Sequence, residues 1–257
     1  MSSRFRPVSH EDRLTLVEHL DELRNRLIVC VAVFAVALGL CFWQSSLLLE
    51  IASGPLPSNH KHLLTFGVTE PFTVTLTVAA YGAIALALPV LLYQLYAYVL
   101  PAFSETERRV ALPLMLLAPL LFGVGVLFAY FVVMPAAVKF LLNFNGSQFN
   151  VQVRARDYYS FFSTTMLAGG LVFQLPLAML ALTRLRIVSV SQLSANRRYA
   201  YLVIAIVAAA LPGVDPISMI IEMVPLLVLY ELSILLARVF GRSEVAAGLA
   251  KPSTQER

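Results

Sequence analysis

Apolar runs return six times along this 257-residue chain, at 27–49, 72–100, 110–134, 158–182, 199–211 and 217–236. Five of the six are near or above the twenty residues that an α-helix needs to cross a hydrocarbon core of about 30 Å at about 1.5 Å per residue. Hydrophobic residues make up 59% of the chain and charged ones 13%. That excess is spread over the whole length, so no single water-soluble core can hold it, and a soluble enzyme is excluded first. The first 26 residues carry both signs of charge and no small-residue cleavage site follows the first run, so that run is expected to remain as a span.

An even number of spans puts both termini on one side. Only Lys61, Lys139, Arg154 and Arg156 then fall on the opposite side, and the other 15 of the 19 basic residues accompany the termini. Basic residues concentrate in cytoplasmic loops, so the expected orientation is both ends inside the cell membrane. The expected fold is therefore an all-α polytopic membrane protein of six transmembrane helices. It divides into a cytoplasmic amphipathic segment (1–26), the membrane domain (27–236) and a cytoplasmic tail (237–257), patternless after Arg242 and expected to be mobile. The fifth run is short, about 20 Å as a helix, and must lie within the bundle or beside a thinned bilayer. Residues Gln44, Ser45 and Ser46 interrupt the first run, and Pro89, Pro113, Pro119, Pro135, Pro176 and Pro225 lie inside or at the ends of the others, where each removes a backbone donor and favours a kink.

Several chemistries are excluded by what the spans lack. All four histidines (His10, His19, His60, His62) lie outside them, and none of the three lysines follows a glycine, so neither a zinc-protease helix nor a phosphate-binding loop is present. Cys30 and Cys41 are eleven residues apart on one helix, about 16 Å, too far to bridge. No cofactor, metal or nucleic-acid partner is expected.

What remains is acidic. Leu16, Leu20, Leu23 and Leu27 fall at helical spacing beside Glu18, Asp21 and Glu22, which reads either as a solvated helix with a Glu22 to Arg26 pair or as a docking face for a cationic peptide. After the second run, Ser104 and Glu107 have capping-box spacing. Glu107 is then either a helix cap, which glutamine could replace, or an arginine partner, which needs the charge. Thr69, Glu70 and Pro71 read as a helix start with Thr69 as cap, and Asp215 before Pro216 as another cap. At membrane depth a carboxylate costs about 2.5 to 3.5 kcal/mol, which singles out Glu222 and Glu231. Nine residues apart, they point to opposite faces. Glu231 is expected to snorkel to the inner interface, and Glu222 and Gln174 to meet another helix or a wet cavity. Tyr93, Tyr96 and Tyr98 read as an interfacial aromatic belt, with Tyr98 also able to line a docking site near Glu107.

Several stretches together resemble the TatC family, the receptor component of the twin-arginine protein translocase. They are His19-Leu20-Asp21-Glu22-Leu23-Arg24-Asn25-Arg26, Thr69-Glu70-Pro71-Phe72, Pro101-Ala102-Phe103 with Glu107-Arg108-Arg109, Phe128-Ala129-Tyr130-Phe131-Val132-Val133, Asn196-Arg197-Arg198-Tyr199 and Asp215-Pro216. The resemblance implies a concave, glove-like bundle that is no enzyme. Such a bundle binds twin-arginine signal peptides and assembles with the single-span proteins TatA and TatB into an oligomeric complex that exports folded proteins on the proton-motive force. It implies Glu22 and Glu107 as the carboxylates for the arginine pair, with Leu20, Arg24, Tyr98, Pro101 and Phe103 around them. Pro55 is implied as a position tied to assembly or transport, while Gln174, Glu222, Asp215 and Glu70 are expected as intramembrane polar or partner contacts. Gln174 stands where the family commonly has a glutamate, which argues against an obligatory proton carrier there. The rival reading is a secondary transporter with Glu222, Glu231 and Gln174 along its path, and a weaker one is a structural membrane scaffold.

Overall fold

The computed structural model describes the backbone of residues 10–60, 63–99, 105–145, 148, 151–184, 187–210 and 216–249, with side chains except at 10–19, 59, 99, 105–116, 184 and 239–249. The described residues are helical throughout their length apart from loops: α1 His10–Trp43, α2 Ser45–Ser53, α3 Glu70–Val99, α4 Glu105–Phe128, α5 Met134–Asn143, α6 Ala155–Val172, α7 Leu175–Arg184, α8 Val190–Ala195, α9 Arg197–Ala210 and α10 Pro216–Leu249. Five helical stretches among them are long and apolar enough to cross a membrane: Leu20–Trp43, Glu70–Tyr98, Leu117–Asn143, Ala155–Thr183 and Pro216–Arg238. The fifth apolar run forms α9, only 14 residues, the short element its length predicts.

Five boundaries differ from the sequence reading. The amphipathic segment and the first span are one continuous helix, and that helix stops at Trp43. Gln44 leaves the helical region (φ −94°, ψ 27°), so the last part of the expected first span is the separate helix α2. The third span continues past Pro135 to Asn143, because residues Ala129–Val133 form a π turn that passes α4 into α5 with Pro135 in the first turn of α5. A π turn shifts the hydrogen-bond register by one residue, which leaves room for a residue without an N–H. The fourth run is two helices, broken at Phe173 and Gln174, two residues before Pro176. Pro89 and Pro225, by contrast, lie inside α3 and α10. Helix α10 continues beyond Leu236 to Leu249, so the segment after Arg242, expected to be patternless, is helical as far as residue 249.

Packing uses small residues. Ala79, Ala83 and Ala87 recur every fourth residue on α3, and this buried ridge meets Ala37 and Cys41 of α1. Between helices in lipid there is no water to expel, so close van der Waals approach of this kind supplies the attraction. A second cluster joins α2, the π turn, α5 and α6 through Ala52, Ala129, Met134, Tyr158 and Phe162. A third joins α8, α9 and α10 through Leu193, Ile204, Leu226, Tyr230 and Ile234. Large apolar side chains such as Leu27, Val31, Leu86, Leu120 and Leu232 remain exposed on the outside, where a lipid-facing surface requires them.

The helix α2 shows how this fold closes backbone bonds away from water. The last four carbonyls of a helix have no partner within it. Here Ser53 Oγ donates to Glu50 O (2.9 Å), Tyr130 Oη and the Gly54 N–H donate to Ile51 O (each 3.1 Å), Tyr158 Oη donates to Ala52 O (2.7 Å), and the Leu56 N–H donates to Ser53 O (3.1 Å). Two of these donors come from helices α6 and the π turn, so the cap of one short helix is also a tertiary joint.

Candidate functional site

At one end of the bundle α1 lies against the last turns of α3. Arg26 of α1 donates from Nε (3.0 Å) and Nη2 (2.5 Å) to Glu22 Oε1, from Nη1 to Gln94 Oε1 (2.9 Å), and from Nη2 toward the Ala97 carbonyl (3.4 Å). The i,i+4 pair expected from sequence is therefore present, and it extends across to α3. Glu22 keeps 38% of its side chain exposed, Arg26 23%. Leu20 and Arg24 are exposed on the same helix, and Leu23 and Leu27 are exposed too, so the apolar stripe of α1 faces away from the chain's own core. Tyr98 follows Ala97 on α3 and is half-buried. Glu107 lies in the first turn of α4, its side chain outside the described residues. Pro101, Phe103 and Asp215 lie outside the described residues altogether; α10 opens at the next residue, Pro216.

At the other end a second ionic contact joins two loops. Glu70, 5% exposed, opens α3; its carboxylate accepts from Arg154 Nε (2.8 Å) and Nη2 (3.3 Å) and from the Phe66 N–H (2.9 Å). The Arg154 guanidinium also lies 5.5 Å from the centre of the Phe66 ring, within cation–π range. The hydrogen bond to Glu70 pushes the Arg154 pKa above its ordinary value, with the charges of Glu70 and Asp157 acting the same way against desolvation. The Leu64 N–H bonds to Val153 O (3.0 Å) and the Ala155 N–H to Leu64 O (2.8 Å), so backbone and side chains together fix the two loops. The Thr69 carbonyl accepts the first helical bond from Thr73, which places Thr69 at the cap position of α3. Pro55 follows Gly54 at the end of α2, where a ring that cannot continue a helix is common.

The membrane-depth polar groups are separate. Gln174, 9% exposed, donates from Nε2 to Ala118 O (3.0 Å), while its Oε1 is buried without a hydrogen-bond partner among the described residues. Glu222, 8% exposed, lines a small cavity of about 20 Å³ with Thr165, Gly169, Phe173 and Pro225, room for about one water. Glu231 does not snorkel alone. It accepts from Arg197 Nη2 (2.9 Å) and from Tyr201 Oη (2.6 Å), both on α9. Glu222 and Glu231 thus face different neighbours, as their spacing requires.

Comparison with known proteins decides the family. The description "Sec-independent protein translocase protein (TatC)" matches residues 18–225. The chain belongs to the TatC family. Its similarity to the TatC proteins of Carboxydothermus hydrogenoformans is 36% identity over 89% of this chain and 95% of that one, and to that of Aquifex aeolicus 34% over 90% and 98%. Two solved structures described as the twin arginine translocase receptor TatC, one of them in the detergent DDM, are 32% identical. They superpose with TM-scores of 0.74 and 0.76 and cover 86% and 85% of this chain, and 98% and 99% of theirs. The chain is thus an all-helical, multi-pass membrane protein with the TatC fold, and the family is a component of a transport machine, not an enzyme family.

Within this TatC fold, sequence reasoning missed three partners: Gln94 for Arg26, Arg154 for Glu70 and Arg197 for Glu231. Gln94 carried a signal, being the one amide in the apolar run 72–100, where an unpaired polar group is costly. Arg154, just before α6, and Arg197, the first residue of α9, lie among polar residues at helix starts, where nothing local names a distant carboxylate as partner.

Proposed function

We propose that this chain is the signal-peptide receptor of a Sec-independent translocase, taking peptides with paired arginines at its inner face and passing folded cargo outward on the proton-motive force. The observation that carries the reading is the position of Glu22. Its partly exposed carboxylate stands where α1 meets the end of α3, and α3 is the helix from which the chain runs on to Glu107. Similarity over most of the chain to a solved twin arginine translocase receptor supports it.

Arginine suits such a site because its planar fork forms two parallel bonds to one carboxylate, and charge-assisted bonds are about twice as strong as neutral ones. Lysine offers a point charge without that plane. Glu22 and Glu107 receive the two guanidinium groups in this reading, with Leu20, Arg24, Tyr98, Pro101 and Phe103 around the peptide. Because Glu22 is over a third exposed, its contribution is modest and weakens with salt. The exposed leucines of α1 give the peptide's apolar stretch a surface to follow. Both termini and the loop before α9 lie on the cytoplasmic side, α9 completes a sixth span, the bundle is concave, and TatA and TatB are the partners in an oligomeric membrane complex. Pro55, Glu70, Gln174, Asp215 and Glu222 remain the membrane or partner-contact positions in this reading, Glu70 and Gln174 also being bonded within the chain.

The test is site-specific photocrosslinking from positions 22, 98 and 107 to matched twin-arginine and twin-lysine precursors, joined with binding to a Glu22→Ala plus Glu107→Ala variant. Crosslinks to the twin-arginine precursor alone, lost in the variant, are expected. Unchanged binding to the variant overturns the reading. Cysteines placed at Ser58 and Ser189 should be labelled from outside and inside respectively.

A further inference from the structure

Four hydrogen bonds from one guanidinium converge on three acceptors from two helices: Glu22 Oε1, Gln94 Oε1 and Ala97 O. Arg26 supplies that guanidinium, the same chemical group that a peptide arginine carries. A carboxylate on one side of the fork, an amide oxygen and a backbone carbonyl on the other, read the plane of a guanidinium rather than its charge alone. An ammonium, with three donors on one atom, cannot span them in that way.

Resting on the receptor reading above, we infer that Glu22, Gln94 and Ala97 O form a single guanidinium seat, held at rest by Arg26 and taken over by one arginine of the signal peptide. Arg26 is then a specificity-determining residue, because a ligand must match its bonds to displace it. Gln94 is the part of the seat that rejects lysine. The exchange costs little in desolvation, since the seat is never emptied of its cation: one guanidinium replaces another, and Arg26, already 23% exposed and carried on an exposed stretch of α1, turns outward. The apparent affinity is the intrinsic affinity reduced by the fraction of time that Arg26 leaves the seat open.

The seat predicts opposite effects for residues in direct contact. Weakening the resident raises peptide affinity, although it removes a bond that joins α1 to α3. Arg26→Lys keeps the charge and the stem but gives up the fork. With the full-length protein in nanodiscs, a fluorescent twin-arginine signal peptide should bind Arg26→Lys about 3-fold more tightly and Arg26→Met up to about 10-fold, the factor one net hydrogen bond is worth. In the Arg26→Met background Gln94→Leu should then lower twin-arginine affinity by a comparable factor. With Arg26 present its effect should be smaller, because resident and ligand lose the same bond. Twin-lysine binding should be nearly indifferent to Gln94→Leu. Unchanged or weaker twin-arginine binding by Arg26→Lys overturns the inference, as does an equal effect of Gln94→Leu in both backgrounds. In the Arg26→Met background, where no resident loses the same bond, Glu22→Ala separates the two levels. If it leaves twin-arginine binding intact, the receptor reading itself fails. If it weakens binding while the Arg26 variants show no gain, only the resident seat fails.

Discussion

Glu70 and Arg154, 84 residues apart in the chain, meet at 2.8 Å and tie the start of α3 to the start of α6. The carboxylate is buried and the guanidinium is 38% exposed, so the two partners are not equivalent. Removing the arginine leaves a buried carboxylate with backbone N–H donors from Phe66 and Gly67 but no countercharge, whereas Glu70→Gln keeps a neutral acceptor for the arginine. Arg154→Ala should therefore lower the thermal unfolding temperature in detergent more than Glu70→Gln does. The reverse order would mean that the carboxylate's own bonds to the loop backbone, rather than its arginine partner, carry the joint.

Tyr158 and Tyr130 both donate to carbonyls that end α2, yet their loss should differ. Ile51 O also accepts from the Gly54 N–H, so Tyr130→Phe leaves it one partner, whereas the described donor to Ala52 O is Tyr158, whose side chain is buried. Tyr158→Phe should cost about 1 to 3 kcal/mol, as for a buried acceptor left unsatisfied, and Tyr130→Phe about 1 kcal/mol or less. Denaturant or thermal titrations of the two variants compare them directly. Equal losses would show that the Ala52 carbonyl depends on its tyrosine no more than the Ile51 carbonyl does.

The crossing of α4 and α6 depends on a missing side chain. A Cβ at Gly170 would overlap the ring of Phe122, which is 4% exposed and cannot turn away into open space. Gly170→Ala is expected to destabilise by about 1 to 3 kcal/mol, the usual range for overpacking. Phe122→Leu should relieve that strain, so the double variant should lose less than the two single losses combined. Strict additivity in the unfolding free energies would place the strain elsewhere.

How much of this could be read from the sequence follows from the range of each interaction. Apolar runs are local, so the five long helices and the short α9 were legible, as was the weakness at Gln44 through Ser46, though not that α2 would stand as its own helix. The Glu22 to Arg26 pair was legible because four residues make one helical turn. Arg26's bonds to Gln94 and Ala97, 68 and 71 residues on, were not, since they depend on how α1 lies along α3. Pro135 illustrates another limit. Read locally it ends a helix; in the structure the π turn before it lets the helix continue to Asn143, and nothing in the residues Ala129–Val133 announces that register shift.

Gln174 separates a structural from a proton-carrying role at a membrane-depth position. Its Nε2 bonds to Ala118 O, a carbonyl already within the α4 ladder, and its Oε1 is buried with no partner among the described residues. Leucine at this position would give up one donor whose acceptor keeps its helical bond, and would also remove an unsatisfied oxygen. Those effects oppose each other, and Gln174→Leu should change stability by no more than about 1 kcal/mol. Because an amide does not take up and release a proton near neutral pH, export by the variant should persist as well. Export assays in membranes, read beside unfolding of the same variant, give the decision. Native-like stability with lost export would mean that the buried oxygen accepts a hydrogen bond from a partner helix during assembly, and that α6 and α7 must part at Phe173 and Gln174 to let it in.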